Sequence, residues 1–165
     1  MCDFKLESVK KFELQKVSKG IVIWVLHADK KPPHIGLSVD GCFFSLKARG
    51  KDVDVPIESV VSLMNIKKTA FICFCLKDCI SKKDVSNSFN FFHNTIPYKI
   101  TCLEPIKKIL NEHNSNKIVE LLFCLDQKKR IEGVYGLNLP EDFNGIKDYN
   151  LDDINKRLIF LSQDL

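Results

Sequence analysis

The chain has 165 residues, 45% of them hydrophobic and 28% charged, and its 25 basic and 21 acidic side chains give a net charge of +4. That length suits one domain, 1–165, with enough chain to bury a sizeable core, and so mild a charge excess gives no reason to expect a nucleic-acid partner. No stretch approaches the ~18 consecutive apolar residues of a membrane span, so no transmembrane segment is expected.

The first stretch, MCDFKLESVKKFEL, is charged and amphipathic and has no apolar leader core. No secretory leader is expected, and a cytoplasmic location is. The seven cysteines are odd in number and read as free thiols in a reducing compartment. Residues 8–14 alternate weakly and fit a short strand or a short helix. GIVIWVLH, 20–27, is apolar and β-branched, the pattern of a strand buried on both faces. HIGLSVDGCFFSLKA reads as two strands joined through Val39-Asp40-Gly41-Cys42, because Asp-Gly tolerates the positive φ of a tight hairpin turn. Pro56 opens a short helix, and TAFICFCL, 69–76, is a second buried strand. Ser81 caps a helix whose apolar face carries Val85, Phe89 and Phe92.

IPYKI, 96–100, reads as extended. TCLEPIKKILNEH reads as a helix in one of two registers, with Thr101 as N-cap or with Pro105 at the first helical position. NKIVELLFCLD fits helix or strand, and RIEGVYGLNLPEDF a strand followed by loop. LDDINKRLIFLSQ closes the chain as a helix with Asp152 and Asp153 in its first turn. The paired lysines, such as Lys30-Lys31 and Lys107-Lys108, read as solvated surface. Strands and helices interleave irregularly, which predicts an α+β fold with an antiparallel sheet packed against helices.

A cysteine nucleophile needs an accessible thiolate, a base within reach and donors for the oxyanion. Of the seven cysteines only Cys102 stands at a predicted helix start, where free N–H groups favour negative charge. Glu104 close by opposes a thiolate. His34, held behind Pro32-Pro33 at the start of a strand, is the best-placed base of the four histidines; His27, at the end of the preceding strand, also qualifies. Ser45 and Asp40 are candidate orienters of the imidazole, although Asp40 has a sufficient role in the turn. Each residue also has a plain structural reading, Cys102 as a small core residue and His34 as the polar end of a strand. The CFCLKDC segment lacks the paired C-x2-C spacing of a zinc ribbon, and no phosphate-binding glycine motif is present, so no metal or cofactor is expected.

HIGLSVDGCFFSL, followed after a strand and a helix by YKITCLEPIKKIL, resembles the circularly permuted papain-like cysteine hydrolases, among them lecithin:retinol acyltransferase-like and desumoylating-isopeptidase-like proteins. In that superfamily a histidine opens a strand and the nucleophilic cysteine follows later at a helix start. The resemblance implies a permuted papain-like fold and a cysteine-histidine dyad of Cys102 and His34. It also implies thiol protease, amidase or acyl-transfer chemistry on a peptide, peptidoglycan-like or lipid acyl substrate. It covers roughly 20–110, and Thr101 and Leu103 depart from the residues that usually flank the acyltransferase cysteine. The alternative is a non-catalytic protein-interaction module on the same fold.

Overall fold

The computed structural model describes residues 2–163; Met1, Asp164 and Leu165, at the ends of the expected 1–165 unit, lie outside the described residues. In chain order the first elements are β1 (Phe4–Lys5), β2 (Lys10–Lys11), α1 (Leu14–Val17), β3 (Ile21–Leu26) and β4 (His34–Val39). There follow β5 (Cys42–Lys47), β6 (Gly50–Pro56), α2 (Ile57–Ile66), β7 (Phe71–Leu76) and α3 (Lys82–Asn90). The last are α4 (Glu104–Leu110), α5 (Ile118–Gln127), β8 (Ile131–Leu137), β9 (Gly145–Ile146) and α6 (Leu151–Gln163). The architecture is mixed α+β, as the sequence predicts. A seven-stranded sheet runs in the order β2-β8-β7-β3-β4-β5-β6, antiparallel throughout except for the parallel β2–β8 pair at one edge. β1 and β9 form a separate two-stranded ribbon.

The centre of the sheet lies where the sequence is most uniformly apolar. Every residue of β3 and of β7 is buried, because helices cover both faces and neither face can be left polar. Alternation along the strands sends Ile21, Ile23 and Val25 to one core, with Leu37, Phe44 and Phe74, beneath α3, α4, α5 and α6. The other face sends Val22, Trp24, Phe43 and Phe71 toward α1 and α2. There Trp24 stacks on Phe71 at 5.8 Å and meets Phe43 edge-on at 5.9 Å. Its buried Nε1–H donates to Ser38 Oγ at 2.8 Å, so neither polar group is stranded in the core.

The β4–β5 turn is the expected tight hairpin: Val39 pairs with Cys42, and Asp40 and Gly41 have φ of 47° and 81°. The Asp40 carboxylate accepts from Gly20 N–H at 2.8 Å, which ties the turn to the start of β3 and accounts for Asp40 without a catalytic role. The glycine at position 36 also has a packing reason. A β-carbon there would collide with the Phe43 ring, which lies across it from the adjoining strand.

The starts of α3 and α6 follow the sequence, but Phe92, expected on the face of α3, lies beyond its end at Asn90, and two other stretches depart from expectation. Ser81 Oγ accepts from Asp84 N–H at 3.1 Å and caps α3, and Asn150 and Asp153 cap α6 reciprocally. Residues 96–100, expected to be extended, instead fold back on themselves, with Ile96 and Ile100 exchanging both backbone hydrogen bonds at 2.8 Å. Tyr98 takes the positive φ of 64° that this turn requires. The helix after Cys102 uses neither expected register. Leu103 is its N-cap, Pro105 sits in its first turn, and Thr101 Oγ1 accepts from Leu103 N–H at 3.3 Å. Cys102 therefore stands just before α4. Residues 118–127, left open between helix and strand, are helical, and 8–14 divide between β2 and the start of α1. No helix among the described residues is long and apolar enough to cross a membrane.

Candidate active site

The sheet opens at one end of β4. Its ladder with β3 continues to Leu26↔His34, whereas its ladder with β5 ends at Gly36↔Ser45. The strands splay beyond that point, and the space between them is filled by other segments. Thr95 N–H donates to Lys47 O at 2.9 Å, taking the place of β4 beside the end of β5. Cys102 lines the same opening as His34 and Ile35, and the Ile35 backbone N–H favours its thiolate. Thus the two ends that the sequence analysis singles out, the strand start at His34 and the helix start at Cys102, converge on one place.

That place is a cavity of about 620 Å³ with His34, Ile35, Cys102, Thr95 and Tyr149 among its lining residues. Such a volume suits a small molecule or the reactive end of a larger one. His27 lines the same cavity, and burial holds its imidazole below the ordinary value as well. The other two histidines are remote. His93 is exposed in the bend after α3, and His113 is exposed with its Nε2 at 3.0 Å from Asn111 Oδ1.

Electrostatics at the pair favour neutral forms. Burial pushes the His34 imidazole down to about 4; the Asp52 carboxylate works in the opposite sense, and His27 and Lys47 reinforce the fall. Burial likewise pushes the Cys102 thiol up. The N–H groups of Ile35 and of Cys102 itself favour the thiolate, Glu104 opposes it, and desolvation outweighs them. This corrects the expectation that the helix start depresses the thiol: α4 begins beyond Cys102, and desolvation outweighs the N–H groups that favour the thiolate. At neutral pH Cys102 thus rests as a thiol and His34 as a neutral imidazole, the protonation state that a general base requires.

Ser45 is positioned differently from its expected role. It is buried on β5, and its Oγ donates to Asp52 Oδ2 at 2.8 Å, while Asp52 Oδ1 accepts from Lys47 Nζ at 2.9 Å. No hydrogen bond joins Ser45 to His34 among the described residues. The carboxylate that acts on His34 is Asp52, from β6, and Ser45 holds that carboxylate. Sequence reasoning missed Asp52, although its position opposite Ser45 in the β5–β6 ladder is what places it.

Three further residues come from segments to which the sequence assigned no role. Tyr149, 7% exposed, accepts from Ile118 N–H at 3.1 Å through its hydroxyl oxygen. It lines the cavity together with Cys102. Thr95 Oγ1 is buried with no hydrogen-bond partner at all. Arg157 reaches the cavity from α6, whose Ile154, Leu158 and Leu161 form its apolar wall. Arg49 Nη2 donates to Ser162 O at 3.3 Å and holds α6 over the opening.

The remaining cysteines have other surroundings. Cys73 and Cys75 are core residues of β7, and Cys124 donates to Glu112 Oε2 at 3.1 Å within an ion cluster of Glu112, Lys128, Arg130 and Asp78. Compared with protein-family models, curated proteins and solved structures, the chain matches none.

Proposed function

We propose that the chain is a cysteine hydrolase or acyl-transfer enzyme of the permuted papain-like kind, acting on an amide, ester or thioester through Cys102 and His34. One observation carries this reading. Cys102 and His34, far apart in sequence, line the wall of one cavity large enough for a substrate, at the splayed end of β4. A merely structural cysteine has no need of two histidines and an unpaired buried hydroxyl around one opening.

In this reading His34 takes the thiol proton as sulfur attacks the carbonyl carbon. The S–C bond forms and the carbonyl electron pair moves to oxygen. Collapse of that intermediate breaks the bond to the leaving group, which receives the proton from His34. Water, deprotonated by His34, then attacks the thioester and returns the free thiol and a carboxylic acid; an acceptor nucleophile in place of water gives acyl transfer. Asp52 stabilises the transient imidazolium, and Ser45 positions Asp52. The Tyr149 hydroxyl and the Cys102 backbone N–H are the candidate donors to the oxyanion.

The test is hydrolysis of a panel of activated esters, thioesters and anilides by the full chain, with Cys102→Ser and His34→Gln as controls. The reading expects turnover that is abolished in the first variant and reduced about 10²–10⁴-fold in the second. The competing reading, an interaction module on the same fold, draws on the raised pKa of Cys102. It expects no turnover in any variant.

A further inference from the structure

The cavity beside Cys102 is charged in one sense only. Lys30, Lys31, Lys47, Arg49 and Arg157 line it, and no acidic side chain does. The chain as a whole is nearly balanced, with 25 basic and 21 acidic residues, so a wall of cations without a single acid departs from its average surface. These residues come from three separate places: the β3–β4 loop, the end of β5 with its turn, and α6. Only Lys47 has a carboxylate partner, Asp52; Lys30, Lys31, Arg49 and Arg157 are in no ion pair among the described residues. Like charges gathered without counter-charges repel one another, and an anionic ligand relieves that repulsion. A second, independent observation points the same way. Thr95, 4% exposed, stands in the cavity wall with its hydroxyl unpaired, a buried donor that nothing in the described chain satisfies.

Deepening the hydrolase reading and resting on it, we propose that the cavity selects a small acyl substrate that carries an anionic group, a carboxylate or a phosphate. Arg49 and Arg157 hold the anion, and Lys30 and Lys31 at the exposed mouth draw it in. The apolar wall of Ile35, Leu46, Leu103, Ile154 and Leu158 takes the hydrocarbon between the anion and the bond attacked by Cys102. Arginine suits the role because its planar donors match two oxygens of either anion. The walled shape favours a compact ligand over the continuous backbone of a nucleic acid.

The test compares two alkylating reagents of nearly equal size, anionic iodoacetate and neutral iodoacetamide, at each thiol of the intact protein by peptide mapping. Cys2 and Cys79 are exposed and serve as internal references. The expected iodoacetate-to-iodoacetamide rate ratio at Cys102 exceeds that of the references by roughly tenfold or more. It falls severalfold in Arg157→Ala and in the Lys30→Ala/Lys31→Ala double variant. Equal ratios at all three thiols would overturn the proposal. Should Cys102 resist both reagents while the references react, the nucleophile reading fails. The anion site is then judged by NMR titration with glutarate, inorganic phosphate and neutral glutaramide. Saturable shifts at Thr95 and Tyr149 with an anion, weakened in Arg157→Ala and absent with glutaramide, support it and tell carboxylate from phosphate. No response to either anion refutes it.

Discussion

A desolvated imidazole writes its environment into the pH dependence of folding. In the unfolded chain His34 titrates near 6.5, and in the folded protein burial holds it at about 4. Above the unfolded value both states are neutral and the group contributes nothing to the pH dependence. As the pH falls below it the unfolded chain takes up a proton that the folded protein refuses, so stability is lost on acidification and the loss levels off near the folded value. Between pH 7 and about pH 4.5 the difference amounts to about 2 kcal/mol. The perturbation is His34→Gln, which keeps a polar side chain and removes the titration. Urea denaturation at the two pH values, wild type against variant, isolates the contribution, because the carboxylates and His27 titrate in both proteins. The expected result is a wild-type protein that loses about 2 kcal/mol more than the variant on acidification. Equal losses would mean that His34 is solvated in the folded state, and the neutral-base account would lose its footing.

Other consequences follow from the cores and the ion cluster. Trp24→Phe removes the indole donor and leaves the buried Ser38 hydroxyl unpaired, a cost of roughly 1–3 kcal/mol. Trp24→Phe/Ser38→Ala should recover part of it, and thermal or urea unfolding of the two variants gives the comparison. Glu112→Ala leaves Arg130 and Lys128 without the carboxylate that joins the end of α4 to α5 and β8. A loss of roughly 1–3 kcal/mol is expected in the same assay, since Arg130 keeps its Asp78 partner and Lys128 is half exposed. Glu112→Gln, which retains an acceptor, should lose less; equal losses would show that charge alone matters there.

The parts of the fold that sequence reveals are those set by local chemistry. β3 and β7 announce themselves as unbroken apolar runs, the β4–β5 turn by Asp40-Gly41, and α3 and α6 by Ser81 and by Asp152-Asp153. The less legible parts depend on distant partners. The turn at Ile96–Ile100 carries an apolar, β-favouring sequence; it folds back because the chain must bring Thr95 to Lys47, and Asn155 of α6 accepts from Tyr98 N–H at 2.7 Å. Lys30-Lys31 looks like solvated surface until Arg49 and Arg157 are placed around the same opening. Asp52 and Tyr149 become site residues only through strand register and through the packing of 145–149 against α5. His34 and Cys102 could be nominated beforehand because each carries a rare chemistry at an element boundary. Their third partner could not, since a carboxylate on an edge strand has no local signature.

The central claim, that Cys102 is a nucleophile served by His34, is tested most directly by trapping its acyl form. The protein is mixed with an activated ester, quenched in acid and mapped by mass spectrometry at a series of pH values. The account predicts a thioester at Cys102 that forms faster than at the exposed Cys2 and Cys79 throughout the neutral range. It further predicts that this preference is lost in His34→Gln, with the acid limb of the rate near pH 4, where His34 takes up its proton. Acylation that merely tracks exposure, fastest at Cys2 and Cys79 and indifferent to His34→Gln, would contradict it.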